Sequence, residues 1–261
     1  MIDLHTHILP GLDDGPANLD FSLALARAME TAGIGVAAAT PHIRSDHAVD
    51  PLELGERVES FNARLREEGL DLRVVAGGEV DLDRALTLDD AELDAVCLDR
   101  GRFLLVESPH YGVAGSLERG LDELCGRGVR PILAHPERSR VFLADPERLE
   151  RVIEGGALCS VTAASLAGGF GRGPRRLAAR LLRSGVVHDV ASDAHDHIFR
   201  PPNLLEGFTA MDELLPGISD QAEWFTRIAP EAILEGRDPG PPPRRLGQLS
   251  RLRKLTAPLL G

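Results

Sequence analysis

Aromatic side chains are scarce: 8 Phe, 1 Trp and 1 Tyr account for 4% of the 261 residues. A core built from this chain must be filled mainly by Leu, Val, Ala and Ile. Positive charge is also short, with 29 Lys and Arg against 41 Asp and Glu and a formal net charge of −12. That balance argues against a general nucleic-acid binder, which needs a basic face to displace counterions. A phosphate substrate stays open, because bound metal ions and a few Arg can reverse the field locally. Cysteine is limited to Cys97, Cys125 and Cys159. An odd, widely spaced set makes no disulfide framework, and reduced, mostly buried thiols are expected. None of them begins a Cys-x5-Arg loop, since Phe103, Pro131 and Ser165 hold the Arg position. Phosphatase chemistry through that thiolate loop is thereby excluded. No apolar run approaches the ~20 residues of a membrane-spanning helix. Asp3 and His5 interrupt the start, so no secretory signal is expected and the cytoplasm is the default location. Neither an internal repeat nor a second domain is visible.

What is present is alternation. Short apolar runs at 2–4, 35–39, 72–76, 103–106, 131–134, 157–161 and 186–191 are separated by helical patterns. Several runs are apolar almost throughout, as in strands buried on both faces of a parallel sheet. Helices are expected over 21–32, 51–68, 116–127, 146–155 and 174–184, each followed closely by Gly. Asp50-Pro51 supplies an N-cap followed by Pro at the first helical position. Repeated strand and helix imply a parallel α/β fold. Seven runs before residue 192 suit a barrel of seven or eight strands, with a doubly wound open sheet as the alternative. A length of 261 residues suits one such barrel. Residues 1–236 are read as that single domain. Residues 237–261 hold Pro239, Pro241, Pro242 and Pro243, then Arg244, Arg245, Arg251, Arg253 and Lys254. They read as a linker and a basic tail, either a helix packed on the barrel or a docking segment.

The polar residues gather at one end of these runs. His5-Thr6-His7 follows the first, and period-two alternation puts both imidazoles on one side. Asp13 and Asp14 come shortly after. His42, Glu79, Glu107 and His135 each end a run, and Asp193 and His195 end the last. A lone His or Glu at a strand end is ordinarily a hydrogen-bonded structural residue. Ionisable groups at one end of so many buried strands need another reason, because unpaired buried charge is costly and clustered carboxylates repel. That end carries catalysis in α/β barrels. His and carboxylate ligands without Cys suit Mn²⁺, Zn²⁺, Fe²⁺ or Mg²⁺. Nine candidates exceed what one ion can use, which points to two or three. Arg138 lies three residues after His135 and Arg200 five after His195. Their planar forks match phosphate oxygens.

The opening Met1 to Gly15 with its His-x-His and Leu-Asp-Asp-Gly, then Thr40-Pro41-His42, Gly77-Gly78-Glu79, Leu105-Val106-Glu107, Ala134-His135-Pro136-Glu137-Arg138 and Ala191-Ser192-Asp193-Ala194-His195 resemble the PHP (polymerase and histidinol phosphatase) superfamily. More narrowly, they resemble its bacterial manganese-dependent protein tyrosine phosphatases of capsule and exopolysaccharide operons, over roughly residues 1–235. The resemblance implies a distorted (β/α)7 barrel with a trinuclear site. One ion would take His5, His7, Glu79 and Asp193. A second would share Glu79 and add Glu107 and His135. The third would take Asp14, His42 and His195, with Asp13 the alternative to Asp14. Arg138 and Arg200 match the phosphate-binding arginines, and Glu107 in place of His favours the tyrosine phosphatase branch. The implied partner is a phosphotyrosine protein, a tyrosine kinase of polysaccharide biosynthesis.

The chain departs from the family at Ser139, where these phosphatases often have Tyr, and at His110 and Tyr111, which are local features. His110 is a candidate for substrate contact or leaving-group protonation. His47 and His197 are loop residues near ligands, and His188 reads as structural. Gly168-Gly169-Phe170-Gly171-Arg172-Gly173 fits no phosphate-loop spacing and reads as a flexible loop near the site mouth. The expected reaction is phosphate-monoester hydrolysis by a hydroxide generated at the metals, without a covalent phospho-enzyme. A small-molecule phosphatase of the histidinol-phosphate type is the nearest rival. A nucleic-acid phosphoesterase of the same superfamily and a non-catalytic regulatory module are the others.

Overall fold

The computed structural model of the chain describes residues 1–47, 49–108 and 116–243. Each of the seven apolar runs forms a strand. In order they are β1 (Ile2–Thr6), β2 (Val36–Ala39), β3 (His42–Ile43), β4 (Arg73–Ala76), β5 (Glu79–Val80), β6 (Phe103–Glu107), β7 (Arg130–Ala134), β8 (Leu158–Thr162) and β9 (Asp189–Ala191). Two runs continue past a break, β2 into β3 across Thr40-Pro41 and β4 into β5 across Gly77-Gly78. The Glu79 N–H donates to the Pro41 carbonyl at 3.0 Å, so the ladder carries on through both breaks. All ladders are parallel, in the orders β1-β2-β4 and β3-β5-β6-β7-β8-β9.

The ring closes between the first strand and the last. Thr6 bridges Ala194 in parallel, the His7 N–H donates to the Ala194 carbonyl at 2.9 Å, and the Asp193 N–H donates to the His5 carbonyl at 3.0 Å. Closure removes the two free edges of a doubly wound sheet. The architecture is a seven-position parallel barrel, irregular where two positions are broken and where β1 carries a register shift between Asp3 and Thr6.

Alternation along the strands builds two cores. Phe103 and Leu105 join Leu4, Val75, Ile132 and Leu158 inside the barrel, while Leu104 and Val106 face the helices. Ile233, on a helix labelled below, fills the interior cluster beside the strand starts. The lower barrel is therefore apolar, and the polar residues are left at the other end.

The helices are α1 (Leu19–Thr31), α2 (Leu54–Glu67), α3 (Leu82–Ala85), α4 (Asp90–Val96), α5 (Ser116–Gly126), α6 (Arg140–Ala144), α7 (Pro146–Glu154), α8 (Ala163–Ala167), α9 (Arg172–Ser184), α10 (Leu204–Met211) and α11 (Ala229–Leu234). Ile233 belongs to α11. Caps set several starts: Asn18 accepts from the Phe21 N–H, and Asp145 from the Arg148 N–H. The expected helix over 51–68 begins instead as a short 3-10 turn, Pro51–Glu53, below the Asp50 cap. Of the glycine-rich loop, Gly168 (φ 92°) ends α8 and Arg172 already starts α9. Cys97 and Cys159 are buried and Cys125 is exposed. Among the described residues no helix is long and apolar enough to cross a membrane. The tail from 244 onward and His110 with Tyr111 lie outside the described residues. Asp238, where the linker begins, pairs with Arg130 at 2.5 Å.

Candidate metal centre

Residues at four other strand positions, β1, β3, β6 and β7, converge on Glu79. It opens β5, lies in register with His42 of β3, and is wholly buried. Its Oε2 lies 3.1 Å from His5 Nε2, 3.4 Å from His7 Nε2 and 3.0 Å from His42 Nδ1. Its Oε1 lies 2.7 Å from His135 Nε2. His5 and His7 bring their Nε2 atoms within 3.2 Å of each other, and Asp193 Oδ1 is 3.5 and 3.4 Å from them. Asp14 Oδ1 lies 3.1 Å from His195 Nε2 and 3.6 Å from His42 Nε2. The nine residues read from the sequence thus occupy one cluster.

The donor atoms fall into four overlapping groups: His7, Asp14, His42 and His195; His5, His7 and Asp193; His5, Glu79 and His135; and His42, Glu79 and Glu107. The third-ion set expected from the resemblance gains His7. The second-ion set divides, with His135 beside His5 and Glu107 beside His42, and Glu79 shared by both.

These residues fit divalent cations. Glu79 Oε2, His42 Nδ1 and His195 Nε2 are buried without a hydrogen-bond partner, although each lies near groups of the cluster. Buried polar atoms are normally satisfied, and lone pairs aimed at a shared space suit a metal. The electrostatics agree. Burial opposes ionisation of Glu79, yet His5 and His135 hold its carboxyl well below the usual range. Asp193 is likewise held down, by His5 and His7, against its burial. Burial lowers His5, whereas Asp13 and its neighbours overcome burial and raise His7 well above the usual imidazole range. Without cations, protons must compensate the carboxylates.

The structure separates the two adjacent aspartates. Asp13 turns away from the shared space: its Oδ2 accepts from His7 Nδ1 at 2.6 Å and the His42 N–H at 3.0 Å, and its Oδ1 accepts the Gly15 N–H at 3.0 Å. Such a carboxylate behind a histidine fixes the ring so that the opposite nitrogen can bind metal. Asp14 faces the cluster. Gly15 is needed for the close passage of this loop, since a Cβ there would sit 2.3 Å from the His7 carbonyl oxygen. The His195 ring is set in the same way by a contact of 3.0 Å between its Nδ1 and the Asp193 carbonyl.

Backbone strain marks the same place. His135 and Asp193 adopt φ of 35° and 54°, a region uncommon for residues other than Gly, though His and Asp enter it more readily than most, and one met at functional sites. Each turns the chain at a strand end and redirects its side chain into the cluster.

Arg138 NH1 and Arg200 NH2 both donate to Asp193 Oδ2, at 2.5 and 2.6 Å. The Arg138 guanidinium also lies 4.2 Å from the Phe170 ring centroid. Glu137 supports this turn: it is buried, and its Oε1 accepts from the Thr162 N–H and hydroxyl at 3.0 and 2.9 Å. Sequence reasoning missed Arg44. Its NH1 lies 3.4 Å from both Glu107 carboxylate oxygens, and Asp46 holds the rest of its guanidinium. Its place two residues after His42, just past the end of β3, was the available signal. Among the remaining histidines, His47 stacks on His42 at 5.5 Å. His188 lies just before β9, where its N–H donates to the Cys159 carbonyl at 2.8 Å. His197 borders a surface cavity formed with α1 and α10.

Comparison with known proteins places this arrangement. The family model for capsular polysaccharide synthesis, CpsB/CapC, matches residues 1–233. The chain belongs to the CpsB/CapC family. It is 35% identical over 197 residues to the tyrosine-protein phosphatase YwqE of Bacillus subtilis, covering 75% of this chain and 78% of that protein. It is 30% identical over 230 residues to CapC of Staphylococcus aureus, covering 87% and 89%. A solved structure from a study of YwqE of Bacillus subtilis and CpsB of Streptococcus pneumoniae, described as metal-dependent tyrosine phosphatases, superposes with a TM-score of 0.82 at 30% identity. It covers 94% of this chain and 98% of the other.

Proposed function

We propose that this chain is a metal-dependent phosphatase that hydrolyses phosphotyrosine on proteins, with Mn²⁺ as the working ion. The observation that carries the reading is the joint placement of nine His and carboxylate donors around Glu79 with two arginines anchored on Asp193 at their edge. The CpsB/CapC membership and the activity named for YwqE support the same chemistry.

His5, His7 and Asp193 with Glu79 would hold one ion, Glu79 with His135 and Glu107 a second, and Asp14, His42 and His195 the third. Bound there, such ions supply Lewis acidity and a nucleophile from water at neutral pH. The protein's own groups do the rest. Asp193 Oδ2 takes one N–H from each of Arg138 and Arg200 and so fixes both forks. Arg200 NH1 lies 3.9 Å from Asp14 Oδ2, too far for a hydrogen bond, so the N–H groups not spent on Asp193 can grip the non-bridging oxygens of a phosphate, with charge-assisted bonds that strengthen as negative charge builds in the transition state. Glu137 and the Phe170 ring keep Arg138 in place. A phenolate leaves readily, so phosphotyrosine needs no strong general acid. The protein substrate that fits the family's role in capsule synthesis is a polysaccharide-biosynthesis tyrosine kinase, met in the cytoplasm.

A panel of a phosphotyrosine peptide, a phosphoserine peptide and histidinol phosphate tests the reading, before and after chelation. The phosphotyrosine peptide is expected to turn over fastest, to stop with chelator and to recover with Mn²⁺. Activity that survives complete metal removal refutes the metal mechanism. A preference for histidinol phosphate moves the chain to small-molecule work.

A further inference from the structure

A cavity of about 230 Å³ opens beside Arg200. Its walls include Ala163 and Ala167 of α8, Phe170 and Phe199, with Asn203 and Glu206 among the polar lining residues, and it reaches Asp193 and Arg200. Of the nine candidate ligands, Asp193 alone borders it. The cavity therefore begins where the ligand cluster ends, at Asp193 and the Arg200 bound to it. For comparison, an apolar cavity of about 150 Å³ is enough to hold a benzene ring.

Two features shape this cavity. Phe199 on the wall is 87% exposed, and its neighbour Ile198, outside the cavity lining, is 64% exposed, a contiguous apolar pair in a chain with only 8 Phe. Exposed apolar surface that borders a functional site usually marks a contact with a ligand. The small side chains of α8 leave the opposite wall open, and α8 itself is held close to α10 because Gly207 lets the Ala163 backbone approach.

We propose that this cavity is the aryl subsite of the enzyme, and that Phe170 and Phe199 are specificity-determining residues that flank the phenyl ring of phosphotyrosine. The proposal rests on the phosphatase reading above and deepens it. In-line displacement requires the leaving oxygen to point away from the attacking one. A phosphate gripped by Arg138 and Arg200 is attacked from the ligand cluster. Its leaving group then points toward the other side, where the cavity lies. A phenyl ring fills that space between Phe170 and Phe199. A seryl side chain is too short to reach them and leaves the cavity to water. Aromatic pairing is worth about tenfold in affinity.

The test compares wild-type protein with Phe199→Ala and Ala167→Phe, the first removing a wall and the second filling the space. All are loaded with Mn²⁺ and assayed on phenyl phosphate and β-glycerophosphate. The ratio of kcat/KM for phenyl phosphate over β-glycerophosphate is expected to fall about tenfold in each variant. Binding of phenylphosphonate and methylphosphonate by calorimetry gives a readout independent of turnover, with the same loss of preference expected. Circular dichroism and Tm establish that each variant is folded. If Ala167→Phe does not fold, Phe199→Ala decides alone. Equal loss on both substrates, or an unchanged ratio, overturns the aryl subsite while leaving the phosphatase reading intact. Wild-type protein that hydrolyses neither ester sinks the phosphatase reading, and the phosphonate preference then judges the cavity by itself.

Discussion

Asp13→Asn separates a residue that orients a metal ligand from one that binds metal. In the native chain the Asp13 carboxylate meets three N–H groups: His7 Nδ1 at 2.6 Å, the His42 backbone at 3.0 Å and the Gly15 backbone at 3.0 Å. Burial opposes its charge, but His7 pushes the carboxyl down to about 2, so it is ionised throughout the neutral range. Asparagine keeps the shape and loses the charge. One of its terminal atoms becomes a donor, which must face at least one of the three N–H groups. The His7 ring then loses its fixed tautomer or its fixed orientation. Loss of such an outer partner costs about 10–100-fold in metal affinity, equivalent to about 1.4–2.8 kcal/mol. Calorimetric titration of metal-free protein with Mn²⁺ reads the effect directly. The variant is expected to bind Mn²⁺ 10–100-fold more weakly and to recover most of its turnover when Mn²⁺ is saturating. Unchanged affinity would falsify the orienting role. Weak turnover that no metal concentration restores would show that Asp13 acts in the reaction itself.

Three further perturbations follow from the geometry. Arg200→Lys keeps the charge but cannot hold Asp193 and a phosphate with one planar fork. Loss of a charge-assisted hydrogen bond of about 1.5–3 kcal/mol predicts a fall of ten- to a hundredfold in kcat/KM on phosphotyrosine peptide, and wild-type rates in this variant refute the clamp. Burial pushes the Asp189 carboxyl up to about 8 against the Ser160 hydroxyl that donates to it at 2.6 Å, with Asp3 adding to the rise. A raised carboxyl contributes stability that is complete below the unfolded value and is lost as pH rises through about 8. The Tm of metal-free protein is therefore expected to decline from mildly acidic to alkaline pH, and Asp189→Asn to flatten that decline; an identical slope in the variant refutes the assignment. Gly207→Ala places a Cβ 2.6 Å from the Ala163 carbonyl oxygen and 2.9 Å from its Cα. Overpacking of about 1–3 kcal/mol predicts a Tm lower by about 2–4 °C per kcal/mol, measured by thermal unfolding, and an unchanged Tm refutes the tight α8–α10 contact.

Much of this was legible in the sequence because it is local. A strand buried on both faces needs an almost unbroken apolar run, and all seven runs became strands. Asn18, Asp145 and Asp50 cap their own following N–H groups, so helix starts are written within a few residues. The nine candidate ligands stand where apolar runs end, a position that costs stability unless something binds there. Local pattern could place them at one end of the sheet, and no more.

Tertiary structure decided the rest, since it depends on bonds between residues far apart in the chain. Only the pairing of His5 and Thr6 with Asp193 and Ala194 closes the ring, and an open sheet has the same periodicity. Asp13 and Asp14 are identical as sequence and opposite in role, because the loop turns one behind His7 and the other toward His195. The left-handed turns at His135 and Asp193 are uncommon for any residue but Gly, and no local pattern marks these two positions for them. Arg44 reaches Glu107 across strands, and the cavity between Phe170 and Phe199 joins segments that share no pattern. The chain alone determined which residues gather and at which end of the barrel. The closed fold determined which of them face a common space and which stand behind, because that is settled by side-chain direction and not by order along the chain.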